Sequence, residues 1–96
     1  MKGYWIIFGT DIIDSAAQHA YSRLWAPISE KYNAKIKVLE TGALVESHIS
    51  TRVLTVEFPN YEQAKACYSD PAYDEAKQFA VRACHREMII IEGNLA

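Results

Sequence analysis

The stretch RVLTVEFPNYEQAKACYSDPAY, Arg52 to Tyr73, carries a strand, a stop and a broken helix in one run. Thr51 to Phe58 is rich in β-branched residues, and Pro59 and Asn60 close it because proline cannot donate to a strand ladder. Asn60 followed by Gln63 resembles a capping box, and Tyr61, Ala64, Cys67 and Tyr68 then share one helical face. Asp70-Pro71 interrupts that helix, since a residue before proline avoids the helical region. A second helical piece resumes with Tyr73, Ala76, Ala80 and Ala83 on one side. Alternation along the strand puts Leu54, Val56 and Phe58 on one face and Val53, Thr55 and Glu57 on the other. The fully apolar set is expected to meet the helices, which leaves Glu57, an acid in an otherwise apolar strand, on the opposite face.

Working outward, Lys2 to Gly9 is a short, nearly continuous apolar run that reads as a strand. Asp14 or Ser15 caps a helix in which Ala17, Tyr21, Leu24, Ile28 and Tyr32 recur at spacings of four and three, with Asn33 as its stop. Pro27 falls inside that pattern and predicts a bend or break near Trp25 and Ala26. From Ala34, Lys35, Lys37 and Leu39 alternate with Ile36, Val38 and Glu40, the period of a strand with one wet face that ends near Thr41-Gly42. Ala43 to Ser50 reads equally as a loop or an irregular strand entrance. Glu87 to Gly93 is a last apolar strand.

The order βαββαβ over one domain, residues 1–96, predicts an α+β fold of ferredoxin-like type. Its four-stranded antiparallel sheet has two helical regions on one face, because right-handed crossovers place them together. The other face is apolar too: Tyr4, Ile6 and Phe8 oppose Trp5 and Ile7, and Met88 and Ile90 oppose Ile89 and Ile91. A soluble monomer rarely exposes so large an apolar face, so a homodimer packed sheet against sheet is expected, a barrel-like pair with a cavity at its centre. Half of the 96 residues are hydrophobic, which points the same way in so short a chain.

The net charge of −2 provides no basic field for nucleic acid or an anionic membrane surface. The N-terminal segment fits neither a signal peptide nor a span of roughly 20 apolar residues, and a cytoplasmic protein is expected. Cys67 and Cys84 lack ligand spacing and read as packing residues. His19, His48 and His85 are scattered, the four glycines are isolated, and neither a metal nor a nucleotide cofactor is expected.

The segments KGYWI, RVLTVEFPNYEQA and YSDPAY, with Arg82 and the terminal Glu92-Gly93, resemble the domain-of-unknown-function 1330 family of bacterial proteins in the dimeric α/β-barrel superfamily. The resemblance covers nearly the whole chain and implies Trp5, Arg52, Glu57, Tyr68, Tyr73, Arg82 and Glu92 as family-typical positions. It departs at VLETG, where the family's second strand ends in an arginine and glycines but this chain has Glu40 and a single Gly42. The superfamily includes monooxygenases that act without bound metal or flavin, whereas the family itself implies no general reaction.

Two functional classes follow. In the first, a cofactor-independent enzyme acts on a small molecule in the cavity between the sheets, with Glu57 as the proton-transfer group and Arg82 orienting it. Trp5, His48, Arg52, Tyr68 and Tyr73 line its pocket. In the second, a non-catalytic ligand-binding or stress-associated dimer uses Glu57 only in an ion pair with Arg82 or Arg52. His48 has a plain reading as a solvated loop residue, and the aromatic residues one as simple core. Adjacent residues on an extended chain point apart, so Cys84 and His85 do not read as a nucleophile and its base.

Overall fold

The computed structural model describes residues 1–95, with the side chain of Thr41 left aside. Strand β1 (Lys2–Gly9) is central and antiparallel to both β3 (Arg52–Phe58) and β4 (Arg86–Gly93). The short β2 (Lys35–Val38) pairs antiparallel with β3, giving the order β2-β3-β1-β4. Helices α1 (Ser15–Lys31), α2 (Tyr61–Ser69) and α3 (Pro71–Ala83) cover one face. This is the ferredoxin-like α+β architecture that the element order predicts.

Local chemistry accounts for the boundaries. The Asp14 carboxylate accepts the Ala17 N–H at 3.0 Å, and the Asn60 side chain accepts that of Gln63 at 2.8 Å. Each satisfies a donor that a helix start leaves unpaired. Asp70 ends α2 and caps α3 by accepting from Ala72 at 2.9 Å, with Pro71 at the first helical position, where its missing N–H costs nothing. Asn33, at φ 50°, turns the chain out of α1.

The break offered near Trp25 and Ala26 does not occur, and the open reading of Ala43 to Ser50 resolves as a turn and loop. Helix α1 runs unbroken through Pro27. Pro27 and Arg23 lie on its exposed side, where water can satisfy the carbonyl that proline leaves unpaired, while the buried Trp25 and Ile28 hold the inner side. The segment from Leu44 to Thr51, open in the sequence, has no regular secondary structure and follows a single 3-10 turn, Thr41–Ala43.

The core forms where strand parity places it. Trp5 is fully enclosed, with ring centroids of Tyr73 at 5.0 Å, Phe58 at 5.1 Å, Trp25 at 5.5 Å and Tyr68 at 5.9 Å. Its indole N–H donates to the Ala64 carbonyl of α2 at 2.9 Å, so the one polar atom of the hub is satisfied. Val56 and Phe58 are buried in this core and Leu54 packs against it. No helix covers the opposite face, which carries Tyr4, Ile6, Phe8, Val53, Thr55, Glu57, Ile89 and Ile91. Among the described residues the loop from Leu44 to Ser50 borders it at Phe8, and the chain end reaches it at Tyr4, where the Leu95 N–H donates to the Tyr4 hydroxyl at 3.0 Å.

Candidate functional site

Three residues lie in one row across the sheet. Gly9 of β1 is the register partner of Arg52 in β3 and of Arg86 in β4, and all three face the helices. With no side chain at Gly9, the two guanidinium stems flank a gap, which opens into a cavity of about 190 Å³ between the sheet and helices α1 and α3. Ile36 and Val38 of the edge strand form an exposed apolar lip, and Tyr21, Trp25 and Cys84 line its inner side.

The two arginines bring charge without compensation. Arg52 is held by its Nε–H, which donates to the Thr10 carbonyl at 3.0 Å, and by a longer contact of 3.5 Å to Cys84 Sγ. Arg86 donates to the Tyr73 hydroxyl at 2.7 Å and lies over the Tyr21 ring, 5.6 Å from its centroid. Among the described residues neither guanidinium forms an ion pair with a carboxylate. An arginine stays protonated in proteins, so the cavity wall carries two positive charges.

Tyr21 extends the polar wall. Its hydroxyl lies 3.2 Å from that of Tyr73, and its ring stacks on Trp25 one helical turn away with a 5° interplanar angle. Burial first, and then the neighbouring Tyr73, push the Tyr21 phenol well above the ordinary tyrosine range. It is therefore a neutral hydroxyl at physiological pH.

The residues singled out in the sequence divide among three places. Arg52 lines the cavity. Trp5 and Tyr73 are fully buried in the core and Tyr68 packs against them, with Lys77 Nζ 4.8 Å from the Tyr68 ring centroid. Glu57 lies on the face without helices, where its cation is Lys2 at 3.1 Å rather than Arg52 or Arg82. Arg82 is exposed on α3, its guanidinium over Phe79, and Glu57 and Arg82 do not meet within the chain. His48 sits in the loop before β3 and borders a shallow hollow with Phe8 and Glu87. One cavity thus lies under the helices, and a wider hollow of about 440 Å³ lies on the open face beside Glu57, bordered by Tyr4, Lys35, Lys37 and Thr55.

Cys84 reads from the sequence as a packing residue and Tyr21 as part of a helix face, while Arg86 and Gly9 carry no role there. Arg86 had a visible signal, a charge at the same parity as Met88 and Ile90. The Gly9 row depends on the pairing register, which the sequence does not display. Among the described residues no group of three His, Cys, Asp or Glu side chains could hold a metal ion, and no helix is long and apolar enough to cross a membrane.

A family model for the domain of unknown function DUF1330 matches residues 2–94. The chain belongs to the DUF1330 family. None of the curated proteins matches it. Among solved structures this DUF1330 protein is similar to a protein of unknown function from Rhodopseudomonas palustris. That pair shares 16% identity at a TM-score of 0.73, covering 99% of this chain and 84% of the other. It also resembles a variant of SnoaB, a cofactor-independent oxygenase from Streptomyces nogalater, at 7% identity and TM-score 0.70, with 99% and 95% covered. A third is a dimeric ferredoxin-like protein of unknown function from Jannaschia sp. CCS1, at 10% identity and TM-score 0.65, with 97% and 100% covered. At these identities the likeness is one of fold, and it agrees with the ferredoxin-like topology of the DUF1330 chain.

Proposed function

We propose that the protein is a homodimer that binds a small molecule bearing an anionic oxygen in the cavity under its helices and transforms it without a bound cofactor. The observation that carries this reading is the Arg52–Gly9–Arg86 row: two guanidiniums without carboxylate partners, on either side of a gap that opens into an apolar cavity. An apolar cavity of about 150 Å³ takes a benzene ring. The space here suits one ring or a short acyl chain with a charged end. Fixed positive charge in such a site stabilises an anion formed during reaction, which is what cofactor-independent chemistry requires of its protein. The fold likeness to a cofactor-independent oxygenase supports the enzymatic form of the reading.

The dimer rests on the apolar face without helices and on the description of fold relatives as dimeric. In it Glu57 and Lys2 lie at the interface, and Glu57 serves there as an ion-pair residue. Light scattering at micromolar concentration should give twice the chain mass; a monomer mass would overturn the dimer. Calorimetric titration with benzoate and with neutral benzamide tests the cavity. Benzoate should bind, benzamide at least about tenfold more weakly, and Arg52→Gln or Arg86→Gln should abolish the preference. Equal binding of the two probes, or none, would overturn the anion site. A non-catalytic binding dimer is the reading left if anions bind and no bound compound is ever converted.

A further inference from the structure

Resting on the anion-site reading above, the hydrogen bonds around Tyr73 assign a direction to the polar wall of the cavity. Tyr73 is fully enclosed, its ring packed among Trp5, Trp25 and Tyr68, and it does not line the cavity. Its oxygen receives a hydrogen bond from Arg86 at 2.7 Å, and arginine can only donate. The Tyr73 proton must therefore go elsewhere. Among the described residues its one acceptor within reach is the Tyr21 oxygen at 3.2 Å. The reverse order, Tyr21 donating to Tyr73, would strand the Tyr73 proton in an aromatic core, where an unpaired polar group is costly. The order is then Arg86 to Tyr73 to Tyr21.

We infer that the Tyr21 hydroxyl is the donor that meets the anionic oxygen of the ligand, and that Tyr73 is a positioning residue that turns this proton toward the cavity. Tyr21 lines the cavity, and its oxygen is already occupied by the incoming Tyr73 proton. Its own proton is left to point away from Tyr73. A charged donor at the head of the chain polarises both hydroxyls in the same sense, which strengthens the last donor. The raised pKa of the partly buried Tyr21 keeps that proton in place as the ligand ionises. Tyr21 thereby acts as an oxyanion donor rather than as a base.

The probe is para-nitrophenol, whose phenolate is coloured, so absorbance against pH reads the ionisation of the bound molecule directly. Bound to the native dimer, its apparent pKa should fall by about 1 unit or more. Tyr21→Phe should remove most of that shift. Tyr73→Phe keeps the ring in the core, to be checked by near-ultraviolet circular dichroism, and should remove a substantial part of the shift while the probe still binds. A merely structural Tyr73 would leave the shift of the folded variant unchanged, and that result would overturn its positioning role. Probe that binds with an unshifted pKa, or with the same shift in Tyr21→Phe, would overturn the donor assignment while leaving the cavity intact as a binding site. If neither para-nitrophenol nor benzoate binds, the anion site falls and the inference with it.

Discussion

Glu57 and Lys2 close a 3.1 Å ion pair on the sheet face that the helices leave open, and in the single chain both side chains keep some solvent contact. A pair so placed contributes about 0–1 kcal/mol if the face stays wet. Covered by a second sheet, it becomes an interfacial pair, and loss of one partner then costs about 2 kcal/mol or more. Glu57→Gln should therefore weaken the dimer roughly 30-fold, read as the dissociation constant by dilution in analytical ultracentrifugation. An unchanged dissociation constant with a small loss in unfolding energy would place the pair on open surface instead.

Gly3 and Gly9 bound the same strand and should respond oppositely to one methyl group. A Cβ on Gly3 would lie 2.5 Å from the Asn60 carbonyl oxygen and 2.7 Å from the Tyr61 Cα, both backbone atoms at the start of α2. Helix and strand would have to separate, and Gly3→Ala should cost about 1–3 kcal/mol in urea unfolding. At Gly9 the nearest atoms are an Arg52 nitrogen at 3.5 Å and Cys84 Sγ at 3.6 Å, ordinary contacts. Gly9→Ala should be neutral or gain up to about 1 kcal/mol from the stiffer strand. It should also narrow the cavity and lower benzoate affinity.

The strand parities of Leu54, Val56 and Phe58, the caps at Asn60 and Asp70, and the inner faces of α2 and α3 were legible because each depends on spacing along the chain. The position of Glu57 on the open face was legible for the same reason. Its partner was not, since Lys2 meets Glu57 only once the β1 to β3 register is set. The site under the helices shares that dependence: Arg52 and Arg86 lie far apart in sequence and become a pair only by flanking Gly9. Trp5 and Tyr73 are core because the sheet presents Trp5 to three helices at once, a packing that no single segment displays. That Pro27 would not break α1 was not legible, because exposure, which decides whether a lost helix bond matters, is not written in the local pattern.

Asp70 gives a signed pH dependence. Its carboxylate accepts from the Tyr32 hydroxyl at 2.6 Å, from Lys31 at 2.9 Å and from the Ala72 N–H, joining the end of α1 to the α2–α3 turn. These bonds, Tyr32 foremost, hold it well below the usual carboxylate range. Because the folded value is depressed, the contribution is complete above the unfolded value near 3.9 and is lost as pH falls toward the folded one. Asp70→Asn keeps a capping oxygen and removes the charge. Its stability deficit against the native protein should be present at about pH 6 and shrink steadily below about pH 4, followed by urea midpoints. A deficit constant over that range would mean that the charge is not what the contacts stabilise.

The two thiols should differ in the order of their alkylation, and the cavity is the reason. Cys67 points into the core from α2 with no exposed surface, and burial pushes its thiol up to about 12. A thiol that is neither ionised nor reachable reacts only when the protein opens. Cys84 is nearly as buried, but it lines the cavity, where its sulfur contacts the Arg52 guanidinium. Iodoacetamide is small enough to enter past the Ile36 and Val38 lip. Mass spectrometry of timed samples should find Cys84 modified about tenfold or more faster than Cys67 in the native protein. Saturating benzoate should slow Cys84 alone. Modification of Cys67 first, or equal rates that rise together with denaturant, would mean that both thiols wait for unfolding and that the cavity offers no route from solvent to Cys84.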